Sequence, residues 1–566
     1  MAEETNGTVF GIDLGTTYSC IAYIDGTGNV AVATNLDGDR TTPSVVNIGE
    51  GGMVTVGQVA KDTAVIEPDR TVEFVKTLIG DTKVAKIVDG VEKSPEEISS
   101  YILRKVAEDA AATTGFPVEN VVITVPAYFG NDKRQATLDA GRIAGLNVFS
   151  LVQEPVAAAV YYGCTKSTED QTVLVYDLGG GTFDVTAVSI SEGGTAIQVV
   201  CSDGNHNLGG RLWDGAIVQY LMNAFRETTD YEDDYDEFAG QIFQNAAEKA
   251  KKQLTQRPEV RVPLNIAGMP AQITLTRDEF ESLTTHLLDE TISLTRSCLE
   301  NARSKGYSVS KILLVGGSTY MPQVEKALEA SFPELPREIN DPNEAVAKGA
   351  ALIAKDEALR IMVDIANGTN TNYAIGDNDD NSNIGAGVEG EYSKTGQVEP
   401  EKKIRINLPG SVRTDEARPI KIRLATTKSY GIRCLVEKQP KIANLILKNQ
   451  PMPDDGSPFS YSDTFYTDCD NQEDILVEVF ENDKEDRIIE IEGRDPIQSA
   501  TFNLDCGMPA DSPIEVTFSL DSTGLLHILA VEPKSGKQFP MIIETACLSA
   551  TEVEQIRSNA LSMKVV

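Results

Sequence analysis

Positive charge is what this sequence has least of. Its 50 Lys and Arg stand against 86 Asp and Glu, a formal net charge of −36 over 566 residues. Such a surface argues against nucleic acid and against an anionic membrane as partners, because phosphates are met by a basic face. Histidine is almost missing. His206, His286 and His527 are the only three, too scattered for a metal cluster, and each reads as structural. The 8 cysteines (Cys20, Cys164, Cys201, Cys298, Cys434, Cys469, Cys506 and Cys547) are dispersed and form no Cys-x-x-Cys. That argues against a disulfide framework or zinc site and fits a reducing compartment. No uninterrupted apolar run approaches membrane-spanning length. The opening MAEETNGT lacks both the basic start and the apolar core of a secretory signal, so a cytoplasmic location is expected. Hydrophobic residues make up 41% of the chain, enough for real cores in the two to four domains its length suggests.

Against these absences stands a glycine hairpin that occurs twice. Residues 9–19 read VFGIDLGTTYS and residues 173–184 read VLVYDLGGGTFD. Each is an apolar run, an Asp-Leu-Gly, a Gly/Thr turn and a return to strand-like residues. Glycine lets backbone amides approach an anion closely, and consecutive turn amides form an anion-binding nest. Asp13 or Asp177, at a strand end, can hold a hydrated Mg²⁺ opposite phosphates. Two such hairpins suggest two similar lobes gripping one nucleotide. A third strand-to-glycine turn, LLVGGSTYMP at 313–322, places Gly316 and Gly317 where a backbone approaches a ligand. EKAKKQLT at 248–255 brings Glu248, Lys251 and Lys252 within one helical turn. Read alone, it is a solvated charged face.

Residues 1–357 alternate strands with helices, an α/β signature. The spacing of Ile98, Ile102 and Val106 predicts a helix over 96–112, with Ser94, Pro95 and Glu97 as N-cap, first-turn proline and capping-box acid. Residues 367–419 are Asn/Asp/Gly-rich, with few large apolar residues before Ile404, and read as a surface insertion with a short hairpin near KKIRINL. Residues 420–548 carry short β runs between turn residues, including Asp-Ser-Thr-Gly at 521–524, and read as an antiparallel β-sandwich. Ser549 and Glu552 then form a capping box before a last helix.

The motifs GIDLGTTYS, VPAYF, QEPVAAA, DLGGGTFD, LLVGGST and NEAVAKGAA, in this order, resemble the ATPase domain of the 70-kDa heat-shock chaperone family. The likeness covers most of residues 8–356. KSYGIRCL, LILKNQPMP, FYTDCDNQ and PIEVTFSLDSTGLLHILAVE resemble that family's peptide-binding domain. The resemblance implies a two-lobed actin-like (ribonuclease H-like) ATPase domain at 1–357. A linker at 358–366, the insertion at 367–419, the β-sandwich at 420–548 and a truncated helical lid stub at 549–566 complete the expected order.

Residue by residue, the resemblance makes Asp13 and Asp177 metal-water carboxylates. Gly15, Thr16, Thr17, Gly179, Gly180, Gly181 and Thr182 become the phosphate cradle, and Tyr18 a further cofactor-binding residue. Lys76 becomes the lysine reaching the γ-phosphate and attacking water, with Glu154 and Asp184 organising water and metal. Glu248, Lys251, Lys252 and Thr255 would contact the adenosine, with Gly316, Gly317, Ser318, Tyr320 and Asn343 on its other side. Pro126 and Arg134 resemble a relay to the linker LRIMVDI, in which Asp364 stands for the linker's acid. Ile432, Leu435, Phe465 and Ile475 match peptide-cleft positions that also suit plain core packing. Asp468 stands where the family has a small or apolar cleft residue, a charge that would disfavour a purely apolar peptide or select a basic one.

The implied function is an ATP-dependent chaperone using ATP/ADP and Mg²⁺, hydrolysing slowly and holding extended polypeptides. Its implied partners are a J-domain co-chaperone and a nucleotide exchange factor. Several positions depart from the pattern. Lys252 and Tyr320 replace arginines beside the adenine, and Asn343 replaces an aspartate. Ser150 replaces the arginine that engages J-domains, and Gln153 and Val156 differ there too. The stretch between Lys76 and Ser94 is short, and most of the lid is missing. These departures leave open a non-cycling ATP-binding co-chaperone, exchange factor or docking module. A small-molecule kinase of the same superfamily is a third reading, disfavoured by the β region and by QEPVAAA.

Overall fold

The computed structural model describes residues 9–166, 169–366, 373–375, 404–406, 419–453, 458–520, 526–542 and 548–566. Its first sheet runs in the order Asn147–Gln153, Asn120–Val125, Val9–Asp13, Tyr18–Ile24, Val30–Val32, with Thr42–Pro43 paired off this path to Tyr18–Ile24. Its second runs Arg337–Ile339, Val309–Val315, Gln171–Leu178, Phe183–Ser191, Ala196–Asn205, Lys421–Arg423. The shared plan is an antiparallel hairpin whose first strand has a parallel neighbour on its other side. Both strands bearing the glycine turns are buried almost throughout, which is why they read as continuous apolar runs.

The lobes join through two helices, Glu154–Lys166 and Ala345–Ala366, whose small residues let backbones touch. A Cβ on Gly349 would lie 1.8 Å from the Ala157 carbonyl oxygen, and one on Gly11 would lie 2.1 Å from the Ala351 nitrogen. Glycine at these two positions is required by packing. The helix Pro95–Thr114 starts as its sequence predicts, with Ser94 Oγ accepting the Glu97 N–H at 3.1 Å. The reciprocal half of the capping box does not form. The Glu97 carboxylate is taken by Lys93 at 2.7 Å and Tyr101 at 2.6 Å.

Two antiparallel sheets follow. One has the order Ile488–Glu490, Gln439–Ile446, Ser429–Val436, Gln472–Asn482, Gln498–Met508, and the other Phe459–Tyr466, Pro513–Leu520, Leu526–Glu532, Lys537–Ile542. Their inward residues, among them Leu445, Val479, Phe502, Phe518 and Ile528, make one core.

Three expectations change. The stretch 358–366 is not an extended linker. It continues the helix Ala345–Ala366, because Ile361 and Met362 pack on the core between the lobes. The extended connector is Lys421–Arg423, a parallel edge strand on Ala196–Gln198 of the second lobe. Nor is the helix Ala550–Ser562 a lid stub. Leu548, Val553, Ala560 and Val565 enter the core of the first lobe with Tyr101, Ile102 and Ile143. Within the insertion, Tyr373–Ile375 and Ile404–Ile406 pair in parallel, so KKIRINL supplies a strand but no hairpin. The turn at 521–524 lies outside the described residues. No described helix is long and apolar enough to cross a membrane.

Candidate functional site

The three glycine turns meet between the lobes. Built on Gly180, a Cβ would lie 1.8 Å from Thr17 Oγ1; on Gly181, it would lie 2.6 Å from Thr16 Cγ2. The first turn is held from below, where Ser44 Oγ donates to the Gly15 carbonyl at 2.8 Å. The second is held by the Gly179 N–H, which donates to the Thr182 carbonyl at 3.0 Å, and by the Gly210 and Arg211 N–H groups, which donate to the carbonyls of Gly179 and Gly180. The third turn closes on the second. Gly316 has φ +84, and a Cβ there would lie 2.6 Å from Asp177 Oδ1. Ser318 Oγ donates to the Gly179 carbonyl at 2.9 Å. Gly317 faces the Asn343 side chain.

Beneath the turns lie four carboxylates, the buried Glu154, Asp177 and Asp184 and the half-buried Asp13, with Lys76 as a buried cation among them. Lys76 Nζ pairs with Glu154 Oε1 at 2.5 Å. Burial, then the charge of Glu154, pushes Asp13 up to about 6, against the pull of Lys76 and of Thr124, which donates to Asp13 at 2.9 Å. Asp177 and Asp184 are raised well above the usual carboxylate range by burial and by Glu154. Lys76 and Lys448, the latter from the β region, pull Asp184 the other way. Asp184 Oδ2 is buried without a hydrogen-bond partner. A cluster this poor in positive charge stabilises a cation brought to it. Among the described residues no three His, Cys, Asp or Glu are grouped to ligate a metal directly. The carboxylates suit a cation such as Mg²⁺, which keeps several of its waters, and the glycine turns suit phosphates.

On the far side of the cleft, Glu248 is engaged by the opposite lobe. It pairs with Lys61 and accepts from Tyr18 Oη at 3.0 Å, while Lys252 reaches it at 2.8 Å. Burial opposes the charge of Glu248, yet Lys61 and Lys252 hold it down to about 2. Lys252 also donates to Tyr18 Oη at 2.7 Å. Lys251 pairs with Asp214 at 2.8 Å and donates to the Gly210 carbonyl, tying its helix, Glu237–Leu254, to the start of the helix Gly210–Thr229. Thr255 Oγ1 donates to the Lys252 carbonyl. Tyr320 is 46% exposed at the rim. Lys61, Thr124, Asp214 and Lys448 escape sequence reading, because each matters only through a partner distant in the chain.

The remaining expected residues lie elsewhere. Pro126 ends the strand Asn120–Val125, and Arg134 Nε donates to the Phe129 carbonyl at 3.2 Å. Beside them the β region docks, with the Leu526 N–H on Asn131 Oδ1 at 2.9 Å. Asp364 is on the long helix. Ser150 Oγ donates to Glu357 at 2.6 Å. In the β region Ile432 is core, Phe465 and Ile475 pack partly on it, and Leu435 is 53% exposed. Asp468 is exposed, its N–H donating to Gln472 Oε1.

Paired lobes that close glycine turns over a carboxylate cluster define a two-lobed α/β protein whose turns suit phosphates. The Hsp70 protein family model matches residues 9–358, and the chain belongs to the 70-kDa heat-shock protein family. Membership implies the actin-like ATPase fold for the two lobes. Members of the family are ATPases that bind ATP and ADP with Mg²⁺, and they act as chaperones on unfolded polypeptides together with co-chaperones.

Proposed function

We propose that this protein binds Mg·ATP between its lobes, hydrolyses it slowly, and couples the nucleotide state to extended polypeptide held by a β-sandwich. The observation that carries the reading is the Lys76–Glu154 ion pair beside Asp13, Asp177 and Asp184, directly under the facing turns. Phosphoryl transfer to water asks a protein for positioning and charge neutralisation, with little covalent chemistry. Bound Mg²⁺ would supply charge neutralisation at the phosphates. The chain's own part is to hold the phosphates with the amides of residues 15–17 and 179–182, and to orient a water with Glu154 and Asp184. Lys76 adds positive charge where charge develops. Glu248, Lys251, Lys252 and Thr255, with Gly316, Gly317, Ser318, Tyr320 and Asn343 opposite, form the adenosine side. Asp13 and Asp177 would hold a hydrated metal through its waters. We further propose a cytoplasmic location and peptide contact through Leu435, Phe465 and Ile475; Ile432, expected in the cleft, is taken up by the core.

A second reading, a docking protein that binds ATP without cycling, is favoured by one arrangement. The β region is tied to the second lobe through Lys421–Arg423 and to the first through residues 548–566. Single-turnover hydrolysis of bound ATP, with and without an extended peptide, separates the two readings. Hydrolysis that responds to peptide supports the chaperone cycle, and stable binding without turnover supports docking. In the first case Lys76→Ala should lower turnover by about 10²-fold or more while ATP affinity stays within about tenfold. Unchanged turnover in that variant removes Lys76 from the chemistry.

A further inference from the structure

We infer that residues 548–566 are a positioning segment of the nucleotide site, completing the small sheet that carries Lys61 and Lys76 into the cleft. The inference rests on the nucleotide-binding reading above. The segment begins with a full capping box, in which Ser549 Oγ accepts the Glu552 N–H and the Glu552 carboxylate accepts from Ser549. The helix Ala550–Ser562 buries Val553 and Ala560 against the helices Pro95–Thr114 and Asn131–Ile143. At its end the Ala560 carbonyl accepts from the Met563 N–H at 3.1 Å and from Arg104 at 2.5 Å, and Arg104 also donates to the Met563 carbonyl at 3.2 Å.

The chain then turns into a strand. The Val566 N–H donates to the Val54 carbonyl at 2.9 Å, and the Val56 N–H donates to the Val566 carbonyl at 3.0 Å, with Val565 opposite Val54 in parallel register. Val54–Val56 is an edge of the three-stranded sheet in the order Val54–Val56, Val46–Ile48, Thr71–Val72. Residues 565–566 cover that edge, which otherwise presents open backbone groups.

Both cleft lysines hang from this sheet. Val56 leads through Gly57 into the helix Gln58–Thr63, whose Lys61 crosses to Glu248 of the second lobe. Thr71–Val72 leads into the turn Val75–Thr77, whose Lys76 meets Glu154. The short hairpin Lys86–Val88 and Val91–Lys93 follows, and the helix Pro95–Thr114 packs on one side of the sheet and of the Lys76 turn. So small a sheet buries little on its own account, and Val565 joins Val54 and Val56 in one core. Pinning Val54–Val56 therefore fixes where Lys61 and Lys76 stand. Val565, Val566 and Arg104 are positioning residues. None of them lines the phosphate turns.

The test uses the full chain carrying Val565→Asp, with Arg104→Ala as a milder variant, at a temperature where both remain folded. Amides of residues 46–77 should exchange with deuterium about tenfold faster or more, while those of 171–205 keep their parental rates. ATP affinity by calorimetry should fall about tenfold. In a chain truncated before Leu548, added peptide of sequence 548–566 should restore both readings. Parental exchange at 46–77 in both point variants overturns the inference. So does faster exchange with parental ATP affinity, which would leave the segment a purely structural role. A parent chain that binds no ATP instead overturns the nucleotide reading itself, and the exchange data alone then report whether the segment holds the sheet.

Discussion

Asp356 holds Ile420, a residue 64 positions away, by its main chain, with the Ile420 N–H donating to Asp356 Oδ1 at 2.9 Å. One helical turn on, Arg360 pairs with Asp356 at 2.9 Å and donates to the Ile420 carbonyl at 2.5 Å. Both polar groups of one residue are thus read by two side chains of the helix that joins the lobes. The next residues form the edge strand Lys421–Arg423 on the second lobe.

This grip predicts where interdomain coupling is broken. Asp356→Ala leaves the Ile420 N–H unpaired, a loss of about 1–3 kcal/mol. Amides of 420–424 should lose most of their protection in deuterium exchange, while ATP affinity stays within about twofold of the parent. Peptide should then no longer alter ATP turnover. The pair Ile361→Ser and Asp364→Asn should leave 420–424 protected, because those residues belong to the helix. Loss of protection in that pair, with retention in Asp356→Ala, would return the connector to 361–365.

A neighbouring group gives a pH signature. Burial pushes Glu357 up to about 7, against the opposing effects of the Ser150 hydrogen bond and the Arg360 charge, with Asp356 adding a small push upward. A carboxyl raised on folding binds its proton more tightly in the native state. Its stabilising contribution is therefore full below the unfolded value near 4.5 and is lost as pH rises through about 7. Glu357→Gln should remove that dependence, making the variant about 2–3 kcal/mol more stable than the parent at pH 8 and no better at pH 4. Thermal unfolding at the two pH values checks it, and a difference independent of pH contradicts it.

Adenine recognition is testable at Tyr320. If the half-exposed ring stacks on the base, Tyr320→Ala should cost roughly 1–3 kcal/mol in nucleotide binding. Calorimetric titration decides, and parental affinity would mean that the ring points to solvent.

How much was legible follows the range of the forces involved. The glycine hairpins are local, strand and turn within a dozen residues, and the sequence places them in the right lobes. The capping box at Ser549 and Glu552 is also local and forms as read. At Ser94 the box half fails because Lys93 and Tyr101 compete for Glu97. LRIMVDI misleads because a short apolar run suits a helix end as well as an extended linker, and only the core at Ile361 and Met362 decides. The docking of Val565 on Val54 has no local signal at all. Its partner lies at the other end of the chain.

That pairing bears on how the protein is made. The first lobe's core draws on residues from Phe10 to Val565, and its small sheet gains its edge neighbour only at Val566. At about 5–20 residues per second, on the order of a minute of synthesis separates Val56 from Val565. The second lobe likewise waits for Lys421–Arg423 to complete its sheet. The lobe begun first is thus finished last. A nascent chain carries an unfinished sheet edge through most of its translation, and this is the interval in which it depends most on protection from other chains.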